Sequence, residues 1–182
     1  MNKMIKRESN VKTDRSKANK GKVFEKYINA ANSRYRDLEL VDVYQQHPEV
    51  KVRRGRGGFD GARFHRKSGL DFIGVYKGLA ITFDAKESKQ SSFPMANIAD
   101  HQIATMRRFQ KHGGFAFLLV NLTRYGEVFL ISASNVLELL DDGKRSITHQ
   151  YFVEHGVLVR PGRNVTVDYL SALECAIDEN FK

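Results

Sequence analysis

The chain of 182 residues is the length of one compact domain, and 41% apolar residues with 10% aromatics give it enough material for a single core. Its longest uninterrupted apolar run, residues 115–120, is far short of the ~20 residues of a membrane span, and the opening MNKMIKRESN has no apolar stretch. One cysteine, Cys175, excludes an internal disulfide or a multi-cysteine zinc site, so the expectation is a soluble cytoplasmic protein with no membrane partner. Lys and Arg number 30 against 21 Asp and Glu, a net charge of +9, and two short segments hold the excess. Residues 1–22 carry eight basic and two acidic residues, and residues 51–67 carry seven and one, which leaves the rest at −3. Two dense basic segments on a mildly acidic body point to a polyanionic partner, nucleic acid above all.

In chain order, residues 1–18 are polar and without periodicity and read as a flexible basic arm. Phe24, Ile28, Ala31 and Tyr35 recur at helical spacing and predict a first helix over 19–35. A strand is expected at 38–45. Residues 50–67, rich in Arg and Gly, read as a protruding basic loop or ribbon that includes Lys51, Arg53, Arg54, Arg56, Arg63, Arg66 and Lys67. Strands at 70–76 and 79–86 are joined by Lys77-Gly78, a tight hairpin signal. A helix over 97–112 carries Ile98, Gln102, Met106 and Phe109 on one face and stops at Gly113. Strands at 115–122 and 127–132 and helices at 135–140, 147–155 and 169–177 complete an α/β domain with a mixed central sheet flanked by helices.

The hairpin carries the chemistry. With a two-residue turn, Tyr76 pairs with Leu79, so that Asp71 falls opposite Asp84, and Lys86 projects from the same face as Asp84. Like charges directly opposite destabilise a sheet, and a divalent cation would neutralise them. Carboxylates with few other ligands suit Mg²⁺ or Mn²⁺. Lys86 would orient the attacking water or stabilise developing charge. A plain salt-bridged surface patch has the same spacing, but the apolar residues along both strands argue for burial, where such charges need a reason. Taken alone, Glu25 near a helix start reads as structural, as does His101, and Gln102 on an apolar face reads as satisfying backbone groups.

Four blocks, in order, resemble RecU-type Holliday junction resolvases of the PD-(D/E)xK nuclease superfamily: GKVFE at 21–25, SGLDFIGVYKGLAITFDAKES at 68–88, FPMANIADHQ at 93–102 and VDYL at 167–170. The resemblance implies a homodimer that binds four-way DNA junctions and cuts two strands of like polarity symmetrically with Mg²⁺, Mn²⁺ substituting. Recombination proteins, a recombinase or a branch-migration motor, are partners by the same resemblance. It also implies that Asp71 and Asp84, with the Ala85 carbonyl, bind metal, that Lys86 is the catalytic lysine, and that Glu25 and Gln102 belong to the site. The basic segment 50–67 becomes the stalk inserted at the junction centre. Asp84 stands where the family more often has Glu, Gly69-Leu70 replaces a Thr-Thr pair, and Lys67 replaces a proline. A general or restriction-type nuclease of the superfamily, a catalytically inactive junction-binding protein and an RNA-associated factor are the alternatives.

Overall fold

The computed structural model describes residues 9–47, 50–55, 58–64 and 69–180. Helix α1 (Ser9–Asp37) begins ten residues before the expected start, so residues 9–18 of the basic arm are helical here. Its stripe is the expected one: Phe24, Ile28, Ala31 and Tyr35 are all buried against the sheet. Strand β1 (Asp42–Gln45) follows and is shorter than predicted, because residues 38–40 instead close the end of α1, with the Leu38 and Leu40 amides donating to Arg34 and Tyr35 carbonyls.

Next, β2 (Val50–Gly55) and β3 (Gly58–Phe64) pair antiparallel as a ribbon separate from the main sheet. Strands β4 (Phe72–Tyr76) and β5 (Leu79–Ser88) form the expected hairpin. Lys77 and Gly78 both take positive φ, 47° and 81°, the geometry of a two-residue turn that matches strand twist. Tyr76 pairs with Leu79 and Phe72 with Phe83, the register expected from the turn.

A short strand β6 (Ser92–Pro94) and a 3₁₀ turn (Met95–Asn97) lead into α2 (Asp100–Lys111). The remaining elements are β7 (Phe115–Leu122), β8 (Glu127–Ser132), α3 (Ala133–Asp141), β9 (Ser146–Thr148), α4 (His149–His155), β10 (Val157–Gly162), β11 (Val165–Asp168) and α5 (Tyr169–Asn180). The strands order as β1-β4-β5-β7-β8-β10-β11. Among the described residues only β5 and β7 run parallel, joined by the α2 crossover, so the sheet is mixed. Small strands β6 and β9 pair with each other.

Both faces of the sheet are covered, which explains why the strand at 115–122 reads as a continuous apolar run. Helices α1 and α5 cover one face, where Phe72, Phe83 and Phe117 stack with centroids 4.8 and 4.6 Å apart. Helices α2, α3 and α4 cover the other over Leu118, Val120, Met106, Val136 and Phe152. No helix among the described residues is long and apolar enough to cross a membrane.

Candidate active site

Asp84 sits in the interior of β5, hydrogen-bonded on either side to β4 and β7, and its residue is fully buried. Alternation turns Asp84 and Lys86 towards the α2 face, while Phe83 and Ala85 pack on the α1 face. A carboxylate in that position needs partners, and two residues supply them. Lys86 Nζ lies 3.1 Å from Asp84 Oδ2. The Gln102 Nε2 amide, in the first turn of α2, donates to the same oxygen. Lys86 Nζ also donates to Gln102 Oε1 at 3.0 Å, so Asp84, Lys86 and Gln102 close a triangle. Gln102 Oε1 accepts in addition from the Ala99 amide at 3.1 Å, which caps α2. The glutamine therefore does what a buried glutamine ordinarily does for backbone and also ties the lysine to the carboxylate.

The second carboxylate comes from the residue before β4. Phe72 pairs with Phe83, and one further step of that register sets Asp71 against Asp84. The consequence is electrostatic: the Asp84 carboxyl is raised to about 8, first by burial and then by Asp71, against the lowering pull of Lys86. Asp84 Oδ1 has no hydrogen-bond partner, although it is buried. A buried acceptor beside a second carboxylate is a poor arrangement for anions alone and a suitable one for a hard divalent cation, so the residues fit Mg²⁺ or Mn²⁺.

Glu25 approaches from α1, half-buried, one position from the Phe24 stripe. Burial raises its carboxyl, and Asp71 raises it further, while a hydrogen bond from Gln45, then Lys22 and Lys86, pull it down. Glu25 is thus within the field of Asp71 and Lys86. Among the described residues, no three His, Cys, Asp or Glu side chains group as a metal cluster.

Comparison with known proteins decides the family. The model of the family "Recombination protein U", RecU, matches residues 19–175. This chain belongs to the RecU family. Among its curated relatives, the Holliday junction resolvase RecU of Bacillus cytotoxicus is 32% identical over 167 residues, covering 86% of this chain and 84% of that protein. The Holliday junction resolvase RecU of a Geobacillus species is 30% identical over 167 residues, 86% of this chain and 83% of the relative. Among solved structures, the Holliday junction resolvase Hjc of Archaeoglobus fulgidus aligns with 78% of this chain and 93% of its own, at a TM-score of 0.48 and 12% identity.

In this RecU-family chain the structure brings together Asp71, Asp84, Lys86 and Gln102, with Glu25 at their edge. Ala85 lies between two of them in β5. His101 stays out of the network, as the sequence suggests; its carbonyl accepts from Thr105 within α2. Of the basic segment, Lys51, Arg53 and Arg54 lie on β2 and Arg63 on β3, with Lys51 in register with Arg63. Arg56, Arg66 and Lys67 lie outside the described residues.

Sequence reasoning missed Gln45 and Asn29. Gln45 Nε2 donates to Glu25 Oε2 at 3.3 Å, and Asn29 Nδ2 donates to Gln45 Oε1 at 2.8 Å. Asn29 stands four residues after Glu25 on one helix face, a legible relation. Nothing in the sequence pairs Gln45 with either of them.

Proposed function

We propose that the protein resolves four-way DNA junctions by metal-dependent, paired and symmetric strand cleavage. The observation that carries this reading is Asp84: a buried carboxylate with an unpartnered oxygen, facing Asp71 and tied to a lysine and a glutamine, in a chain of the RecU family. Asp71 and Asp84, with the Ala85 carbonyl, would hold Mg²⁺ or Mn²⁺, which when bound neutralises phosphate charge and activates water for in-line attack.

The chain's own residues do the rest. Lys86 is held by two acceptors, Asp84 Oδ2 and Gln102 Oε1, so its ammonium is oriented before substrate arrives, and it stabilises charge developing at the scissile phosphate. Gln102 sets that orientation from the rigid first turn of α2. Glu25 adds a third carboxylate at the edge of the site, where it orients water or contacts the cation. Bases of the β2–β3 ribbon bind the phosphates crowded at a junction centre, and two copies of the chain supply the two cuts. A recombinase or branch-migration motor would deliver or process the junction.

The test is cleavage of a labelled four-way junction beside a matched linear duplex, with Mg²⁺ and with EDTA. Paired nicks in the junction alone, lost in EDTA, are expected. Equal cutting of the duplex would reduce the protein to a general nuclease, and binding without cleavage in Mg²⁺ or Mn²⁺ would make it an inactive junction binder.

A further inference from the structure

The ribbon is inserted between β1 and β4, so the chain leaves the sheet after Gln45 and returns to it at Phe72, just past Asp71. These two feet are joined directly, the Gln46 amide donating to the Asp71 carbonyl at 2.7 Å. Consecutive residues of one foot therefore hold two carboxylate residues of the site. Gln46 holds the backbone of Asp71, and Gln45 holds the side chain of Glu25 at 3.3 Å. Gln45 is itself fixed. Its Oε1 accepts from Asn29 at 2.8 Å and its Nε2 faces Glu25, whose carboxylate can only accept and so selects this amide orientation out of the two. Asn29 and Glu25 both lie on α1, whose buried stripe locks the helix against the sheet.

We infer that Gln45 is a positioning residue: through the Asn29–Gln45–Glu25 chain, the foot of the ribbon sets the place of the Glu25 carboxylate relative to Asp71. This rests on the resolvase reading of the site and adds to it a route by which the ribbon's footing reaches the cation-binding end. A side chain that orients an acid near a metal commonly accounts for about 10–100-fold in affinity or activity when removed.

The test uses the full chain and two readouts. Mn²⁺ affinity, followed by the electron paramagnetic resonance of free Mn²⁺ without DNA, should weaken about tenfold in Q45L, which keeps the volume and removes the donor, and further in Q45E, which faces Glu25 with a second acid. Single-turnover junction cleavage should fall by about the same factor, while junction binding in EDTA stays within about twofold. N29A, which removes the group that holds Gln45 Oε1, should show a smaller loss in the same direction, and it carries the test if Q45L does not fold. In an E25Q background Q45L should have no further effect, because its only route is through Glu25. Parental Mn²⁺ affinity in Q45L, or a Q45L effect that persists undiminished in E25Q, overturns the role. The Mn²⁺ measurement stands apart from the resolvase reading. If the parental protein leaves junctions uncut while Q45L still weakens Mn²⁺, the resolvase reading fails and the positioning role survives.

Discussion

Asp84 concentrates the electrostatic cost of the site in one carboxyl group. Its pKa is raised to about 8, mainly by burial and then by Asp71, so the folded state holds a proton that the unfolded state gives up above the ordinary aspartate range. The resulting contribution is unlike that of a salt-bridged aspartate. Without metal, stability is greatest below about pH 4 as far as this group is concerned, and it is lost as pH rises from there through about 8. In EDTA, the melting temperature of the parental protein should therefore decline between pH 5 and 8 relative to Asp84→Asn, which has no proton to lose there. Parallel melting curves for the two proteins across that range would show that Asp84 titrates normally. Gln102 is the second residue whose role can be isolated. Gln102→Leu removes both the donor to Asp84 and the acceptor for Lys86, so cleavage should fall about 10–100-fold with junction binding intact. If binding and melting temperature fall together with cleavage, the glutamine serves the α2 cap alone. At this scale the sequence exposed Asp71, Asp84 and Lys86 because a two-residue turn fixes which side chains face each other. It could not expose Gln45, whose partners lie on a helix 16 and 20 residues away and meet it only once α1 has packed on the sheet.

Among elements, those with a strong apolar rhythm were legible and those shaped by tertiary context were not. The hairpin β4–β5, strands β7 and β8 and the buried face of α2 follow directly from alternation or helical spacing. Strands β10 and β11 did not, because Pro161 and a register shift between Arg160 and Gly162 break the alternation. The early start of α1 was missed for a different reason: residues 9–18 have no apolar stripe, and six of the ten are Ser, Asn, Val, Thr or Asp, which favour helix only weakly. Pairing between β1 and β4 depends on Gly74. A Cβ there would come within 2.1 Å of the Asp42 carbonyl, which is backbone and cannot swing away. Gly74→Ala should destabilise the fold by about 1–3 kcal/mol in urea denaturation. Gly78→Ala meets no atom within 4 Å and suffers only from its φ of +81°, so its loss should stay near the lower end, about 1 kcal/mol. Equal losses at both positions would mean that β1 can move aside. The ribbon makes the remaining prediction at this scale. Replacing Arg53, Arg54 and Arg56 with Ala should lower the preference for four-way junction over duplex, because an inserted basic element finds phosphates on several sides only at an open centre. If affinity for both DNAs falls by one common factor, the ribbon is a general phosphate contact and no more.

For the whole molecule, the proposed reaction sets the assembly to be tested. A body at −3 that bears basic segments at its N-terminal end and in the β2–β3 insertion is repelled by DNA except where those segments reach it, which favours binding in one orientation. Each chain has one Asp71–Asp84–Lys86 constellation among its described residues. Resolving a four-way junction takes two cuts related by the two-fold symmetry of the DNA, and one chain cannot reach both strands from one site. In the proposed reaction two chains about a two-fold axis would do so, with the two insertions brought together where the four arms meet. The ribbon's feet are the residues that hold Glu25 and Asp71, so in that arrangement an insertion anchored at the junction centre would place the site out along an arm. Sedimentation at micromolar concentration should accordingly show a species of twice 20.8 kDa. Mixing parental protein with excess Asp84→Asn should give heterodimers that nick one strand and leave the junction unresolved. If such mixtures resolve junctions in proportion to the parental protein added, each chain acts alone and the paired cut has another origin.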